Sequence, residues 1–322
     1  MCTAVRYCSG DHYFGRNLDL DRSFHEAVTL TPRRYPLRFR YLPEQREHYA
    51  MIGIAAVSEY PLYYEATNER GLSIAGLNFP GNAAYLDYCD GYINLAPFEL
   101  IPWLLGRFKS IHEAREALSQ VRIVNTPFAP GYPLTPLHWM VSDKTGSLVL
   151  EPMEDGLRIY ENPVGVLTNS PPFDYHLYNL NNYLNLTPKE PLNRFSNKIS
   201  LLPYSFGMGA IGLPGDLSSA SRFVRAAFVL NNSVSDDTES SRISQFFHVL
   251  ESVAQPRGCN RIGDGHEITM YASCCNIDRG IYYYKTYENS QITGIKLFSE
   301  NLDGNVLKTY PLTTEQQIKF EN

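Results

Sequence analysis

The chain begins with MCTAVRYCSGDHYFGRNLDL (residues 1–20), in which two strand patterns lie on either side of a turn. The runs "TAVRY" and "HYFGRN" are rich in the β-branched and aromatic residues that strands favour, and "CSGD" between them is typical of a tight reversal. This pattern predicts an antiparallel β-hairpin. It also places a cysteine directly after the first methionine, at a chain end where a side chain contributes little to packing.

The length of the turn decides which residues face each other across the predicted hairpin. If "CSGD" forms a four-residue loop, Tyr7 pairs with His12 and Cys2 lies opposite Asn17. A register one residue shorter places Cys2 opposite Arg16. The sequence leaves both registers open, and in both of them Arg16 lies within one residue of Cys2 across the ladder.

Removal of Met1 would give Cys2 a thiol and a free α-amine on the same carbon. A terminal amine has a pKa of about 7.7–8.0, so at neutral pH part of it can accept the thiol proton. A nearby Arg16 cation would favour the thiolate, and Asp19, just past the strand end, could orient the amine. The alternative is that Cys2 is accidental and that Arg16 and Asp19 form an ion pair at a strand end. No histidine is expected to be the base, because His12 lies at the far end of the hairpin.

Composition excludes several classes of partner. The 322 residues are 43% hydrophobic and 19% charged with a net charge of -6, which argues against nucleic-acid or anionic membrane surfaces. Four charged residues interrupt the first twenty positions, where a secretory signal would be apolar, and no stretch reaches the roughly 18 apolar residues of a membrane span. We therefore expect a cytoplasmic protein that has no membrane or nucleic-acid partner.

Three motifs resemble cofactor or metal sites without fulfilling their requirements. "HEAVT" (25–29) and "HEARE" (112–116) lack the second histidine of a zinc-protease helix, and no cysteine pair has Cys-x-x-Cys spacing. "GMGAIG" (207–212) matches the dinucleotide fingerprint, but Pro214 and Gly215 follow where a helix would have to begin. The sequence thus predicts no metal and no cofactor. At 207–212 it favours a flexible loop that covers a site.

The order of elements indicates the fold class. Strand patterns at 51–57, 62–67 and 72–79 are followed by helical patterns at 96–110 and 110–121, and a strand meander covers 137–171. Two more helical patterns at 216–233 and 241–255 precede strands at 267–274 and 280–287. Such segregated runs predict an α+β fold of antiparallel sheets covered by helix pairs, in a single domain over residues 1–322.

Several long stretches together resemble the choloylglycine hydrolase family, most closely its conjugated bile salt hydrolases, with penicillin V acylases as the sister branch. They include "MCTAV" (1–5), "YPLYYEATNERGLSIAGLNFPG" (60–81), "NPVGVLTNSPPFDYHLYNLNNY" (162–183) and "GMGAIGLPGDLSSASRFVRAAF" (207–228). The resemblance implies an N-terminal nucleophile hydrolase with an αββα four-layer sandwich, assembled as a homotetramer. It also implies that Cys2 attacks the substrate once Met1 is gone, with Arg16 and Asp19 beside it.

The resemblance assigns three further residues to the site. Asn78, at the end of "LSIAGLN", and Asn169, in "LTNSP", correspond to the pair that stabilises the oxyanion, and Arg222 is the remaining charged residue. Neutral amide donors at strand ends suit that role, because they can point at the developing negative charge. As isolated residues, the two asparagines would be equally typical of turns, and Arg222 of a helix-surface ion pair.

The implied function is hydrolysis of the amide bond of glycine- and taurine-conjugated bile salts, without a cofactor. Penicillin V acylase is the nearest alternative. Asn78 stands where many of those acylases have tyrosine, whereas Ser170 replaces a second asparagine of many bile salt hydrolases and also occurs among penicillin acylases. A non-catalytic β-sandwich that binds amphipathic sterols or lipids is an alternative of another class, and it would tolerate the loss of Cys2.

Overall fold

Two large antiparallel sheets, two small two-stranded sheets and five α-helices build the computed structural model, which describes residues 1–58 and 60–322. The strands are β1 (Cys2–Ser9), β2 (Asp11–Leu20), β3 (Glu26–Thr31), β4 (Met51–Val57), β5 (Pro61–Asn68), β6 (Ser73–Asn78), β7 (Ile93–Leu95), β8 (Val121–Ile123), β9 (Leu137–Ser142), β10 (Ser147–Met153), β11 (Gly156–Glu161), β12 (Val166–Leu167), β13 (Arg261–Ile262), β14 (Gly265–His266), β15 (Ile268–Asn276), β16 (Ile281–Thr286), β17 (Thr293–Lys296) and β18 (Lys308–Pro311). The helices are α1 (Leu100–Arg107), α2 (Ile111–Leu118), α3 (Phe173–Asn179), α4 (Ser219–Asn232) and α5 (Glu239–Glu251).

The two large sheets lie face to face between the helices. One has the strand order β12-β1-β2-β15-β16-β17, and the other has the order β11-β10-β9-β6-β5-β4-β3-β18. A buried apolar cluster contains residues of both sheets, such as Leu18 and Leu77, together with Phe223 of α4 and Phe246 of α5. A second cluster joins the eight-stranded sheet to α1 and α2. The layers therefore run helix, sheet, sheet, helix, and the predicted α+β sandwich is confirmed.

Side-chain caps fix the starts of three helices. Ser110, Ser218 and Thr238 each accept a hydrogen bond from the backbone N–H three residues later, at 3.2, 3.4 and 3.2 Å. Such caps satisfy N–H groups that have no partner within the helix, and they commonly contribute about 1 kcal/mol. The cap at Ser218 begins the helix that carries Arg222, one of the residues predicted for the site.

Some elements were not predicted from the sequence. The strands β3, β17 and β18 lie at or near the outer edges of the sheets, where their pairing is decided by contacts with distant segments. Helix α3 begins directly after Pro172, in a segment interpreted as the end of a strand followed by a loop. At 207–212 the chain forms only a short 3₁₀ turn, and α4 begins later, at Ser219, so the expected lack of an immediate helix is confirmed.

The hairpin forms, but both predicted registers are wrong. The chain reverses at Gly10, so that Ser9 pairs with Asp11 and Cys2 pairs with Leu18. Gly10 has a φ of 65°, in the left-handed region that glycine adopts easily, and the guanidinium of Arg242 occupies the space that a Cβ would need. This reversal is tighter than a four-residue loop.

The observed register moves Arg16 further from the nucleophile than predicted. Arg16 pairs with Ala4, two residues along the strand from the Cys2–Leu18 pair. Because alternate residues of a strand share a face, Arg16 and Cys2 still lie on the same face of the sheet. The two side chains are therefore diagonal neighbours.

Candidate active site

Cys2 lies at the first position of β1, between two neighbouring strands, and only 3% of it is exposed. On one side it pairs with Leu18 of β2, and on the other side β1 pairs with β12 through Ala4 and Leu167. Continuing the β12 register by two residues brings Asn169 opposite Cys2. Accordingly, the backbone nitrogen of Cys2 donates to Oδ1 of Asn169 at 2.8 Å.

Arg222 joins the same cluster from the helix layer. Its guanidinium donates to the carbonyl oxygen of Cys2 at 2.6 Å, to Oγ1 of Thr3 at 2.7 Å and to Oδ1 of Asn169 at 2.7 Å. The side chain is fully buried, and this burial lowers the pKa of Arg222, while Asp19 and Cys2 oppose the shift. Arg222 therefore fixes both the main chain of the nucleophile and the side chain opposite it.

Asn78 reaches the cluster through Asn169. Nδ2 of Asn169 donates one hydrogen to the carbonyl oxygen of Asn78, at 2.7 Å, and its second hydrogen remains available. Asn78 ends β6 and is half-buried, and its side-chain amide makes no hydrogen bond within residues 1–58 and 60–322. The strand end thus offers two amide groups near Cys2 with donors to spare.

Asp19 is fully buried near the end of β2. Oγ1 of Thr269 donates to Oδ1 of Asp19 at 2.6 Å, and Oδ2 has no partner in the part of the chain that the structure describes. Burial raises the pKa of the Asp19 carboxyl, which the positive charges of Arg222 and of the chain's amino terminus oppose. A carboxylate with one free buried oxygen beside the chain start is suited to hold an ammonium group.

Met1 extends β1 by one residue alongside Asp19. The Met1 carbonyl accepts from the Asp19 N–H at 3.0 Å, and the Met1 amine donates to the Asp19 carbonyl at 2.9 Å. The same amine forms an ion pair with Glu267, whose side chain is only 2% exposed. Sequence reasoning missed Glu267, because it is the first residue of an ordinary strand pattern and meets the chain start only in the folded protein.

Arg16 is fully buried between the two sheets. Its guanidinium donates to the carbonyl oxygens of Tyr64, at 3.1 Å, and of Gly76, and its Nε lies 3.9 Å from Oε2 of Glu65. Burial opposes the charge, but the neighbouring acidic groups, Cys2 first among them, keep the pKa of Arg16 above its usual value. Arg16 is therefore a permanent cation on the thiol's side of the sheet.

Glu65 anchors that cation and was also missed. It accepts hydrogen bonds from the hydroxyls of Tyr271, at 2.7 Å, and Tyr282, at 2.5 Å. Burial raises the pKa of the Glu65 carboxyl, and the nearby Arg16 cation opposes this shift. A glutamate inside a strand pattern gives no sign that it faces an arginine from another sheet, so no feature of the sequence could have identified it.

Comparison with known proteins shows which family the chain belongs to. Residues 2–310 match the family described as linear amide C–N hydrolases, choloylglycine hydrolase family. The chain belongs to the choloylglycine hydrolase family. It is 55% identical over 324 aligned residues to the bile salt hydrolase/transferase of Lactiplantibacillus plantarum, and the alignment covers 100% of both chains.

Solved structures agree with this assignment to the choloylglycine hydrolases. The C2A mutant of the conjugated bile acid hydrolase from Clostridium perfringens superposes with a TM-score of 0.93 at 39% identity, over 100% of both chains. Penicillin V acylase from Agrobacterium tumefaciens has the same fold, with a TM-score of 0.75 at 21% identity over 96% of this chain and 91% of that one. The resemblance stated from the sequence is confirmed, and the protein is a hydrolase of linear amide C–N bonds.

Two predictions for this choloylglycine hydrolase concern membrane-spanning helices and metal sites. Within the described ranges, no helix is both long and apolar enough to cross a bilayer. In the same ranges, no three histidine, cysteine, aspartate or glutamate side chains come together as a metal site. That the hydrolase works without metal or cofactor stays a prediction.

Two histidines of this hydrolase, His138 and His176, contact the main chain next to the site, directly after strand β12. Nε2 of His176 donates to the carbonyl oxygen of Asn169 at 2.9 Å, and Nε2 of His138 donates to that of Thr168 at 2.9 Å. Both side chains are fully buried. His12, in contrast, pairs with Cys8 at the turn end of the hairpin. The two buried histidines contact the backbone behind Cys2, and neither makes a hydrogen bond to Cys2 itself within the described residues.

Burial makes His176 a source of pH-dependent stability. It lowers the pKa of His176 to about 4, and the nearby His138 and Arg222 act in the same direction. In the unfolded chain the pKa is about 6.5, so between pH 6.5 and pH 4 the unfolded state binds more protons. The free energy of unfolding should therefore fall as the pH falls through this window, by about 3 kcal/mol from this group. Below about pH 4 both states are protonated, and the loss is complete.

Urea denaturation at about pH 7 and about pH 4.5, on the wild type and on His176→Gln, measures this effect. The glutamine variant lacks the titrating imidazole ring, and both proteins contain the same buried carboxylates. We expect the wild type to lose stability relative to the variant at the lower pH. Equal losses in the two proteins would contradict a neutral buried His176.

Proposed function

We propose that this hydrolase cleaves the amide bond of glycine- and taurine-conjugated bile salts, with Cys2 as the nucleophile after removal of Met1. The observation that carries the proposal is the placement of Cys2 at the start of β1, with its backbone nitrogen on Asn169 and its carbonyl on Arg222. Relatives aligned over their whole length bear names that refer to bile salts. Neither penicillin V hydrolysis nor non-catalytic lipid binding is favoured by these matches.

In the first step, the thiol of Cys2 attacks the substrate's amide carbonyl and its proton passes to the α-amine on the same residue. The carbonyl oxygen becomes an oxyanion, which the free hydrogens of Asn169 Nδ2 and of the Asn78 amide are available to stabilise. The amine then gives the proton to the leaving nitrogen, the C–N bond breaks, and glycine or taurine departs. The acyl group remains on Cys2 as a thioester.

In the second step, water attacks the thioester, and the α-amine of Cys2 accepts a proton from that water. The tetrahedral intermediate expels the Cys2 sulfur, and the bile acid is released. Arg222 and Asn169 hold Cys2 in place, while the free oxygen of the buried Asp19 is available to orient the amine. The Arg16 cation lies on the thiol's side and favours the sulfur anion in both steps.

Activity should follow the removal of Met1. With Met1 in place, the nitrogen of Cys2 is an amide that cannot act as a base, and the Met1 amine is occupied by Glu267 and Asp19. In preparations with different degrees of processing, intact mass should show that turnover is proportional to the fraction of chains that begin at Cys2. Full turnover in a preparation that retains Met1 would contradict the terminal-amine mechanism.

The substrate is tested by release of glycine and taurine from conjugated bile salts, measured beside hydrolysis of penicillin V on the same preparation. We expect bile salts to be the better substrates by kcat/KM. A higher value for penicillin V would favour the acylase function. Binding of bile salts without any release, in wild type and Cys2→Ala alike, would favour the non-catalytic alternative.

We propose a cytoplasmic location from the sequence and a homotetramer from the family resemblance. The segment after α3 supports self-association, because it exposes at least 77% of each of five large apolar side chains: Leu192, Phe195, Leu202, Tyr204 and Phe206. Surfaces of this kind commonly mark contacts between chains. Light scattering coupled to size-exclusion chromatography measures the assembly.

A further inference from the structure

We propose that His176 and Ser219 are positioning residues that clamp the backbone of Asn169, so that its side chain stays aligned with Cys2. The proposal rests on the function proposed above for Asn169 and adds how that residue is held. Asn169 follows the two-residue strand β12 and precedes two prolines, so regular β pairing does not fix its orientation. Its side chain bonds Cys2, Arg222 and Asn78, and its main chain has separate partners.

The two sides of the Asn169 main chain have separate partners. Its N–H donates to Oγ of Ser219, at 2.8 Å, in the first turn of α4. Its carbonyl oxygen accepts from Nε2 of His176, at 2.9 Å, on α3. A hydrogen bond on each side of the residue fixes the rotation of its peptide planes, and with it the direction in which the side chain leaves the backbone.

Neighbouring contacts hold the clamp rigid. The ring of His176 stacks on Phe223 with centroids 4.7 Å apart, and Oγ of Ser219 in turn donates to Oγ1 of Thr168 at 3.0 Å. Behind Thr168, His138 lies between the Thr168 carbonyl and the carboxylate of Glu151. The side chains of His176, Thr168 and His138 are fully buried, so water cannot replace a partner that they lose, whereas Ser219 is half-buried.

The charge state of the histidine is consistent with this role. A carbonyl oxygen can only accept, so Nε2 of His176 must carry the hydrogen. The pKa of about 4 keeps the ring neutral near pH 7, with its hydrogen bond intact. His176 thus acts through Asn169 and requires no contact with the substrate.

The test compares His176→Phe, His176→Gln and Ser219→Ala with the wild type in bile salt hydrolysis. Phenylalanine keeps the ring on Phe223 and removes the donor, whereas glutamine can place an N–H close to the original Nε2. We expect His176→Phe and Ser219→Ala each to lower kcat roughly 10- to 100-fold with KM nearly unchanged, since misplacement by about 1 Å can cost that much. His176→Gln should recover most of the lost kcat.

A double variant distinguishes positioning from general structural support. If His176 acts through Asn169, His176→Phe combined with Asn169→Ala should be no slower than Asn169→Ala alone. His48→Phe is the matched control, because His48 is also buried and its ring nitrogens lie 2.8 and 2.7 Å from the carbonyl oxygens of Tyr49 and Tyr35, away from Cys2. It should leave kcat unchanged even where it lowers the Tm.

Three outcomes would overturn the clamp: an unchanged kcat in His176→Phe or Ser219→Ala, losses that multiply in the double variant, or a glutamine variant as slow as the phenylalanine variant. If His176→Phe does not fold, Ser219→Ala and its combination with Asn169→Ala test the other side of the clamp in the same way. An Asn169→Ala enzyme with full activity would instead refute the proposed role of Asn169. The clamp would then have nothing to position.

Discussion

Cys2→Ser should fold and bind conjugated bile salt, yet hydrolyse it roughly 10³-fold more slowly than the wild type, or slower still. The variant keeps the α-amine, the Asn169 contact to the backbone nitrogen and the Arg222 contact to the carbonyl. It replaces the thiol by a hydroxyl whose proton is much harder to remove. In a site built for a thiol, we expect the amine that deprotonates Cys2 to be too weak a base for efficient attack by serine.

Calorimetric binding and product release, measured on the same Cys2→Ser preparation, separate the two effects. Cys8→Ser is the matched control, because Cys8 lies in the same strand, is exposed, and faces His12 at the turn end. It should retain wild-type turnover. Near-wild-type turnover of Cys2→Ser would refute the mechanism, as would undiminished activity of the native enzyme after chemical blocking of its terminal amine.

Asn169→Ala should lower kcat by about 10²–10³, the range expected when one oxyanion donor is removed. The change also leaves the Cys2 nitrogen and one Arg222 nitrogen without their shared acceptor. From the sequence, a strand-end asparagine would be expected to contribute little to stability. Because Asn169 is only 4% exposed and its groups are bonded, we expect the free energy of unfolding to fall by about 1–3 kcal/mol.

Steady-state kinetics and urea denaturation of the same variant measure both quantities. Asn162→Ala provides the comparison, since Asn162 is 5% exposed and bonds the carbonyl of Val166 at 3.0 Å, but it has no contact with Cys2. This control should lose stability and keep its kcat. If Asn169→Ala kept nearly full activity, Asn169 would be a turn residue and no oxyanion donor.

The part of the site that the sequence predicted consists of residues carried by local patterns or by the family resemblance. Cys2, Asn169 and Arg222 contact one another directly, Asn78 joins through its carbonyl, and Asp19 lies at the chain start. Their roles in catalysis stay proposals. The order of the layers could also be predicted from the sequence, because long amphipathic helices and alternating strands leave clear periodic patterns.

What the sequence could not predict depends on contacts between distant segments. Glu65 and Glu267 sit in ordinary strand patterns, and His176 lies in a helix that the sequence did not predict. Each of the three gains its role only from a partner in another part of the fold. The register of the first hairpin failed for another reason. The guanidinium of Arg242 on α5 packs against the reversal at Gly10 and leaves no room there for a Cβ, and no local turn rule takes that distant residue into account.

That reversal has a consequence for anyone who engineers the protein. The eight residues of β1 run from Cys2 to the reversal at Gly10, and their number sets which face of the sheet carries the Cys2 thiol. Inserting or deleting a single residue within β1 would move Cys2 to the opposite face of the sheet, and the reactive sulfur would then point toward the helices. Loop grafts must therefore be confined to the turn at Gly10 and must leave the length of β1 unchanged. If Cys2 acts through its α-amine as proposed, affinity tags must be attached away from the amino end.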